Sequence, residues 1–589
     1  MAHESFEDEV IAEKLRNHFI SVKVDREERP DVDHIYMSAC QAMLGSGGWP
    51  LTVIMTPEHK PFFAATYLPR HTRRNVLGLT ELLGLTANKW KNERESLEAF
   101  SAHVTDVLSR SEGGKEYEGS NEALVDRAFA TLKKSFDPEH GGFGTAPKFP
   151  SPHNILFLLQ YHEMTGDHSA LNMSEKTLEQ MYRGGIFDHI GFGFSRYSTD
   201  ESWLAPHFEK MLYDNALLVM AYTAAYRASS NELHKSIAEK TLHYVKRELT
   251  SDEGGFFCAQ DADSDGIEGK YYLFTPKEIV EILGEPDGWA FNKHFDITSF
   301  GNFEGKNIPN LLSGHDADGN IDKHLPAIYE YRKKRAMLHK DDKILTSWNG
   351  LMIAALAGAY ATFDEPRYLE AARAAVEFVD KNLSDDDVVF TSWRDGKRSK
   401  HGFLEDYAFY IFGLIELYRV TFDRAYLRRA EKLTKKCIED FRDSEGGFFL
   451  YGKNSEQLIT CPKETYDGAT PSGNSVMAYN LFMLARILRC ETMQAYANEQ
   501  FDYMLGQASA YPYGNCFFMY ALTTLMHPPK EIVCVLKSAD ELGDAAKKLD
   551  KNAVVTIFEG ENGEYKLKDG LTTYYICDNG RCLPPTVEP

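Results

Sequence analysis

Residues 348–360 read WNGLMIAALAGAY, a run with no polar face beyond its first turn. A helix of that composition must be buried on every side. Just after it, Tyr368–Asp380 has the opposite character: Leu369, Ala372, Val376 and Val379 fall on one face, and Glu370, Arg373, Glu377 and Asp380 on another. The pair, one enclosed helix and one amphipathic helix, recurs six times. Outer-type helices are predicted to begin near Asn121, Ser169, Glu232, Arg367, Ala425 and Met493, and inner-type helices near Ser151, Pro206, Trp348, Phe403, Ser472 and Asn515. The turn letters GGFG at Gly141, GGIF at Gly184, GGFF at Gly254 and GGFF at Gly446 punctuate the repeats. Hairpins whose inner members have no face for water predict a closed (α/α)6 toroid over 121–529, because closure gives every inner helix a neighbour on both sides. The third hairpin carries an insertion, 261–338.

Before this repeat, 1–110 reads as an α/β unit. HESFEDEVIAEKLRNHF is helix-like, ISVKVD alternates as a strand, DHIYMSACQAML is helical, PLTVIMTP and KPFFAATYLP form a hairpin, and a last helix covers Leu79 to Leu108. The polar, glycine-rich 111–120 is a linker. After the repeat, EIVCVLK, AVVTIF and TTYYICD predict a small β-containing α/β appendage at 530–589. The net charge of −23 argues against nucleic acid, which calls for clustered Lys and Arg. Neither a signal peptide nor a membrane-spanning run is apparent, so a cytoplasmic protein that does not engage a membrane is expected. The nine irregularly spaced cysteines, Cys577 and Cys582 included, are expected to be free thiols.

Chemistry concentrates at the predicted N-termini of the inner helices. The densest stretch is 184–215, GGIFDHIGFGFSRYSTDESWLAPHFEKMLYDN, with Pro206 set for the first helical turn and His207 and Glu209 at its mouth. DDKILTSWNG, HGFLEDY and PSGNS occupy the equivalent places further on. Capping explains any one of these, but not Trp348, Asn349, Tyr407 and His207 beside the caps. Carboxylates with aromatic neighbours suit a sugar, since acids and bases work on its oxygens while rings stack on its faces. The acid/base candidates are Asp188, Glu209, Asp214, Glu405 and Asp406, with His189 and His207 as a proton-transferring pair. The substrate-binding candidates are Arg196, Tyr197, Trp203, Tyr213, Asp261, Asp263, Glu268, Asp342, Trp348, Asn349, Tyr407, Ser472 and Asn474. DADSDGIEG begins like a calcium loop, yet Tyr272 stands where the bidentate glutamate belongs, so no metal site is read there. Nothing in the chain asks for a cofactor.

In order along the chain, HESFEDEVIA, VKVDREERPDVD, GGWPLTV, GGFGTAPKFPSP, FSRYSTDESWLAPHFEKMLYDNA, DADSDGIEGKYYLFTP, GNFEGKNI, DDKILTSWNGLMI, FLEDYAF and PSGNS resemble the spermatogenesis-associated protein 20 family, which joins a thioredoxin-like domain to a six-hairpin toroid. The resemblance implies a fold related to N-acylglucosamine 2-epimerase-like sugar epimerases and six-hairpin glycosidases, without implying a substrate. It also implies a first strand and a CxxC segment ahead of the sequence that begins at Met1. A domain lacking both is expected to be redox-inactive, with Pro50 at the cis-proline position. Two functions follow. One is a carbohydrate-active enzyme, isomerase- or epimerase-like or glycosidase-like, working on a small sugar in the toroid. The other is a thioredoxin-like redox or protein-interaction protein that meets a protein partner through its first domain and uses the toroid as scaffold.

Overall fold

A computed structural model describes residues 2–74, 76–110, 116–314, 321–578 and 581–589. It divides into two compact units, 1–114 with 449–463, and 115–448 with 464–589. Residues 111–115 of the expected linker and 315–320 of the insertion lie outside the described residues.

In the larger unit the six inner helices are Pro152–Thr165, Leu212–Ser229, Thr346–Phe363, Leu404–Thr421, Gly473–Leu488 and Cys516–Met526. Each touches the next, and the last returns to the first, so the ring is closed. Six outer helices flank it: Asn121–Ser135, His168–Arg183, Glu232–Glu248, Pro366–Asn382, Arg424–Phe441 and Glu491–Ala508. One device joins inner to outer helix five times. A single left-handed residue (Gly166, Ser230, Asp364, Phe422 or Arg489) ends the inner helix, and the next residue is the N-cap of the outer one. Three of those caps, Asp167, Asn231 and Asp423, accept a backbone N–H two residues on. The direction change thus takes two residues, which holds the two helices antiparallel.

The second inner helix starts six residues later than the sequence suggests. Pro206 does not open a helix; Pro206–His207 pairs with Tyr197–Ser198, and Lys210–Met211 joins a five-stranded sheet before Leu212 begins the helix. That sheet runs Lys397–Arg398, Ser392–Arg394, Lys340–Leu345, Phe257–Gln260, Lys210–Met211, and two of its strands lead straight into inner helices. The insertion has its own apolar core, including Phe274, Ile279, Phe291, Ile328 and Tyr329. After the ring, Glu531–Leu536 lies parallel to Val554–Glu559 and antiparallel to Thr573–Asp578, as an appended sheet. There Cys577 and Cys582 face each other across the edge of the sheet and are joined by a disulfide, correcting the expectation of free thiols; cross-strand register, not a zinc-type spacing, brings them together. The other seven cysteines are free.

The first unit contains helices Glu9–His18 and Pro30–Leu44, the hairpin Thr52–Met55/Pro61–Ala65, and helices Leu79–Asn92 and Arg94–Arg110, which break at Glu93 where one helix was expected. Ile20–Asp25 forms no strand, contrary to its alternation. A strand exists only by pairing, and here Ile20, Val22 and Val24 remain exposed. Cys40 is buried within a helix, and the Trp49–Pro50 bond is cis, as the family resemblance implied.

Candidate active site at the mouth of the second inner helix

The pairing of Tyr197–Ser198 with Pro206–His207 sets the His207 imidazole between two carboxylates. Its Nδ1 lies 2.8 Å from Glu268 Oε1 and its Nε2 3.5 Å from Glu209 Oε2. Hydrogen bonding to Glu209 raises the His207 pKa; burial pulls the other way, and Glu268 adds to the rise. Burial pushes Glu209 up, but the His207 hydrogen bond and the Arg196 charge outweigh it and hold the carboxylate below its ordinary range. Arg196 Nη1 stands 3.4 Å from Glu209 Oε2, while its backbone N–H donates to the Glu209 carbonyl at 2.9 Å. The Arg196 Nε is buried with no partner.

Asp214, in the first turn of the helix, is 4% exposed, and its Oδ2 has no hydrogen-bond partner. Burial pushes its pKa well up against the opposing charge of Arg196, so two neighbouring carboxyl groups are shifted in opposite directions. Tyr213 is buried edge-on to Trp348, ring centroids 4.8 Å apart. Arg196, Tyr197, His207, Glu209, Tyr213, Asp214, Glu268 and Trp348 are therefore one connected group, from four stretches of chain. Chemically it holds an imidazole shifted towards its protonated form, a carboxylate held below its ordinary range, a carboxyl pushed above it and a guanidinium able to balance negative charge.

Other expected site residues are placed elsewhere, with their polar atoms engaged. Asp188 takes both guanidinium nitrogens of Arg332 (2.9 and 2.7 Å), Lys210 Nζ (2.8 Å) and the backbone N–H groups of Ile190 and Gly191. Burial opposes its ionisation, but the Arg332 and Lys210 charges prevail and depress its pKa strongly, while burial lowers Lys210 to about 8. His189 is buried among Tyr182, Phe187 and Phe295 with Nε2 3.2 Å from the Gly184 carbonyl, and burial lowers its pKa to about 4. Its contacts include none of those of His207, so the two histidines do not act as a pair. Trp203 is fully buried, donates Nε1–H to the His140 carbonyl and fills the space beside Gly142, whose φ of +81° leaves no room for a side chain: a Cβ there would meet the indole at 2.6 Å. Asp406 accepts the Phe403 N–H at the start of its own helix and the N–H of Ser347 at the preceding inner helix, with burial raising its pKa.

Asn349 and Asn474 explain the turn letters. Asn349 Oδ1 accepts the Phe256 N–H (2.9 Å), and its Nδ2 donates to the carbonyls of Phe256 (3.0 Å) and Leu345 (2.8 Å). Asn474 holds Phe448 in the same way, and Asn215 holds Phe194. In each case the asparagine at an inner helix start clamps the phenylalanine of the preceding glycine turn. At the fourth hairpin Tyr407 Oη performs the task by accepting the Val389 N–H. Ser472 caps its helix through Ser475 N–H. Asp342 pairs with Arg394 at 2.7 Å, Asp261 and Asp263 are exposed in the Asp263–Glu268 hairpin region, and Glu405 is half-buried in the first turn of the fourth inner helix.

The family model Thioredox_DsbH, described as a protein of unknown function (DUF255), matches residues 1–109. Human spermatogenesis-associated protein 20 is 37% identical over 542 residues, 82% of this chain and 69% of the relative. The chain belongs to the spermatogenesis-associated protein 20 family. The mouse protein is 36% identical over 546 residues, 82% of this chain and 68% of the relative, and a Caenorhabditis elegans protein of unstated function, B0495.5, is 32% identical over 550 residues, 85% and 75%. Among solved structures, cellobiose 2-epimerase from Bacillus thermoamylovorans covers 69% of this chain and 100% of its own at 11% identity, with a TM-score of 0.46. A D-mannose isomerase covers 69% and 97% at 11% identity, with a TM-score of 0.47. Those structural likenesses are too distant to bear on activity.

Within this family member the sequence reading passed over Asp467. It is buried and accepts the N–H groups of Ser472, Phe517 and Phe518, tying together the starts of the last two inner helices, and burial raises its pKa to about 6. An aspartate with no helix of its own carries no periodic signal. Phe149, 49% exposed beside Tyr197, was also passed over, although an aromatic directly before a proline in PKFP, 147–150, could have drawn notice. Among the described residues, no helix is long and apolar enough to cross a membrane.

Proposed function

We propose that the mouth of the second inner helix is the site of a carbohydrate-active enzyme of the isomerase or epimerase type. The observation that carries the reading is the His207–Glu209 couple, a raised imidazole and a lowered carboxylate 3.5 Å apart, with Arg196 against the carboxylate. Proton abstraction from a carbon next to a carbonyl needs a base on the carbon, an acid on the oxygen and positive charge for the enediolate that forms between them. Glu209 is the base, taking the proton; His207 as imidazolium gives its proton to the carbonyl oxygen, so the enediol is neutral. Glu209 then gives its proton to the former carbonyl carbon while His207 takes the hydroxyl proton from the neighbouring oxygen, so the carbonyl moves by one carbon, the isomer forms and both residues return to their starting states. Asp214, whose buried Oδ2 has no partner in the protein, holds a sugar hydroxyl.

The experiment is incubation of the protein with aldoses and disaccharides in D2O, following loss of the proton next to the carbonyl by NMR, with thermal-shift titration of the same sugars. A sugar at a hundred times its Kd adds about 2.7 kcal/mol to stability. Exchange in the wild type that disappears in Glu209→Gln and His207→Gln supports the reading; folded wild type that neither binds nor exchanges any sugar overturns it. A second reading, a first unit that binds a protein segment, is favoured by the unpaired Ile20–Val22–Val24 run. It expects Ile20→Ser/Val22→Ser to abolish partner capture and leave sugar exchange unchanged.

A further inference from the structure

Three short extended segments lie side by side next to the site. Lys148 exchanges both backbone hydrogen bonds with Ser198 (2.9 and 2.8 Å), and Tyr197 pairs with His207. Antiparallel register therefore puts Phe149, Tyr197 and His207 in one cross-strand row. The rings agree: Phe149 and Tyr197 centroids are 5.0 Å apart, Tyr197 and His207 5.3 Å.

Phe149 is out in solvent because the chain gives it no alternative. Its neighbour Lys148 is 1% exposed and anchored by three bonds, to Asp137 (2.5 Å), the Gly141 carbonyl (2.9 Å) and the Glu201 carbonyl (2.8 Å). Pro150 follows and confines Phe149 to extended backbone, and Ser151 beyond it sits at φ +42°, a left-handed conformation that a serine rarely takes. A large apolar ring pinned half in water, in line with a titratable pair, has the form of a stacking platform. It stands two strand spacings, ~10 Å, from the imidazole, which is beyond the reach of a single pyranose seated at His207 and Glu209.

We propose that Phe149, backed by Tyr197, is a second sugar subsite, and that the ligand of this site is a disaccharide or longer saccharide: its reacting ring lies at His207 and Glu209 and the next ring lies with its C–H face on Phe149. The inference rests on the carbohydrate reading above and deepens it. Phe149 is a specificity-determining residue; it touches the ligand away from the reacting carbon and takes no part in proton transfer.

The test is calorimetric titration of the full chain with paired probes, β-1,4- and α-1,6-linked disaccharides of glucose and of mannose against glucose and mannose themselves. Wild type is expected to bind at least one disaccharide more tightly than its monosaccharide. Phe149→Ala is expected to weaken that disaccharide about tenfold, equal to 1.4 kcal/mol, while the monosaccharide Kd stays put; Phe149→Tyr restores the preference. Phe149→Leu, which keeps an apolar group and removes the flat ring, guards against a folding artefact and is also expected to lose the preference. Disaccharide and monosaccharide bound equally by wild type, or a preference untouched by Phe149→Ala, overturns the subsite and leaves the carbohydrate reading standing. Wild type that binds none of the sugars overturns both.

Discussion

Replacing Asn349 by alanine separates a clamp from a ligand contact. The side chain makes three hydrogen bonds at 2.8–3.0 Å, all to backbone, and Phe256, which it holds, is 2% exposed. Each such bond contributes about 1 kcal/mol net, and leaving the buried Phe256 N–H without an acceptor costs about 1–3 kcal/mol. Part of that second cost is already counted in the lost bond, so the expected destabilisation is roughly 3–4 kcal/mol. For a cooperative unit of several hundred residues, an unfolding entropy of ~2.1 cal/mol/K per residue turns this into a fall in Tm of roughly 3–4 °C. Scanning calorimetry on Asn349→Ala, with Asn215→Ala as the equivalent change one hairpin earlier, reads it directly. Both are expected to lower Tm by similar amounts. A Tm unchanged in Asn349→Ala, together with lost sugar binding, would refute the clamp and return Asn349 to the ligand.

Three further outcomes follow from the same geometry. By NMR, His207 is expected to titrate above 6.5, and Glu268→Gln to lower its midpoint; because the folded pKa is raised, its stabilising contribution is complete below the unfolded value of ~6.5 and is lost as pH rises through the folded one. His189 and His153, both lowered to about 4 by burial, act in the other direction. The unfolded chain takes up their protons near 6.5 and the folded one does not until about 4, so the unfolding free energy read from denaturant titrations should fall as pH drops between those values, by roughly 3 kcal/mol per histidine at the acid end; His189→Gln should flatten the profile. Alkylation of the denatured chain without reductant should add seven groups, and nine after reduction, since seven cysteines are free and Cys577 and Cys582 are joined; nine additions without reductant would remove the disulfide.

The ring was legible because its signal is periodic. An inner helix such as Thr346–Phe363 is apolar at every turn and an outer one such as Arg424–Phe441 carries a charged stripe, so burial is written in composition. The start of the second inner helix was not legible, because Pro206 is equally at home in a helical first turn and in a short extended pair, and only the Tyr197–Ser198 partner, several residues away, decides between them. Polar residues at helix starts gave an ambiguous signal of another kind. Asn349 and His207 look alike as unusual residues beside a cap, yet one has all its bonds directed to backbone and the other faces two acids. Residue type cannot express that difference, since it depends on which backbone lies opposite. The Ile20–Asp25 stretch shows the same limit: alternation states which faces would be apolar in a strand, not whether a neighbouring strand is there to pair with it.

Closure of the inner ring has a consequence for how the chain is made. The first inner helix, Pro152–Thr165, finds one of its two neighbours only in Cys516–Met526. At ~5–20 residues per second a ribosome needs roughly 20–70 s to synthesise the stretch between them. During that interval an apolar helix flank waits uncovered, and a nascent-chain chaperone that shields it until the last hairpin emerges would act on the one step that local sequence cannot hasten.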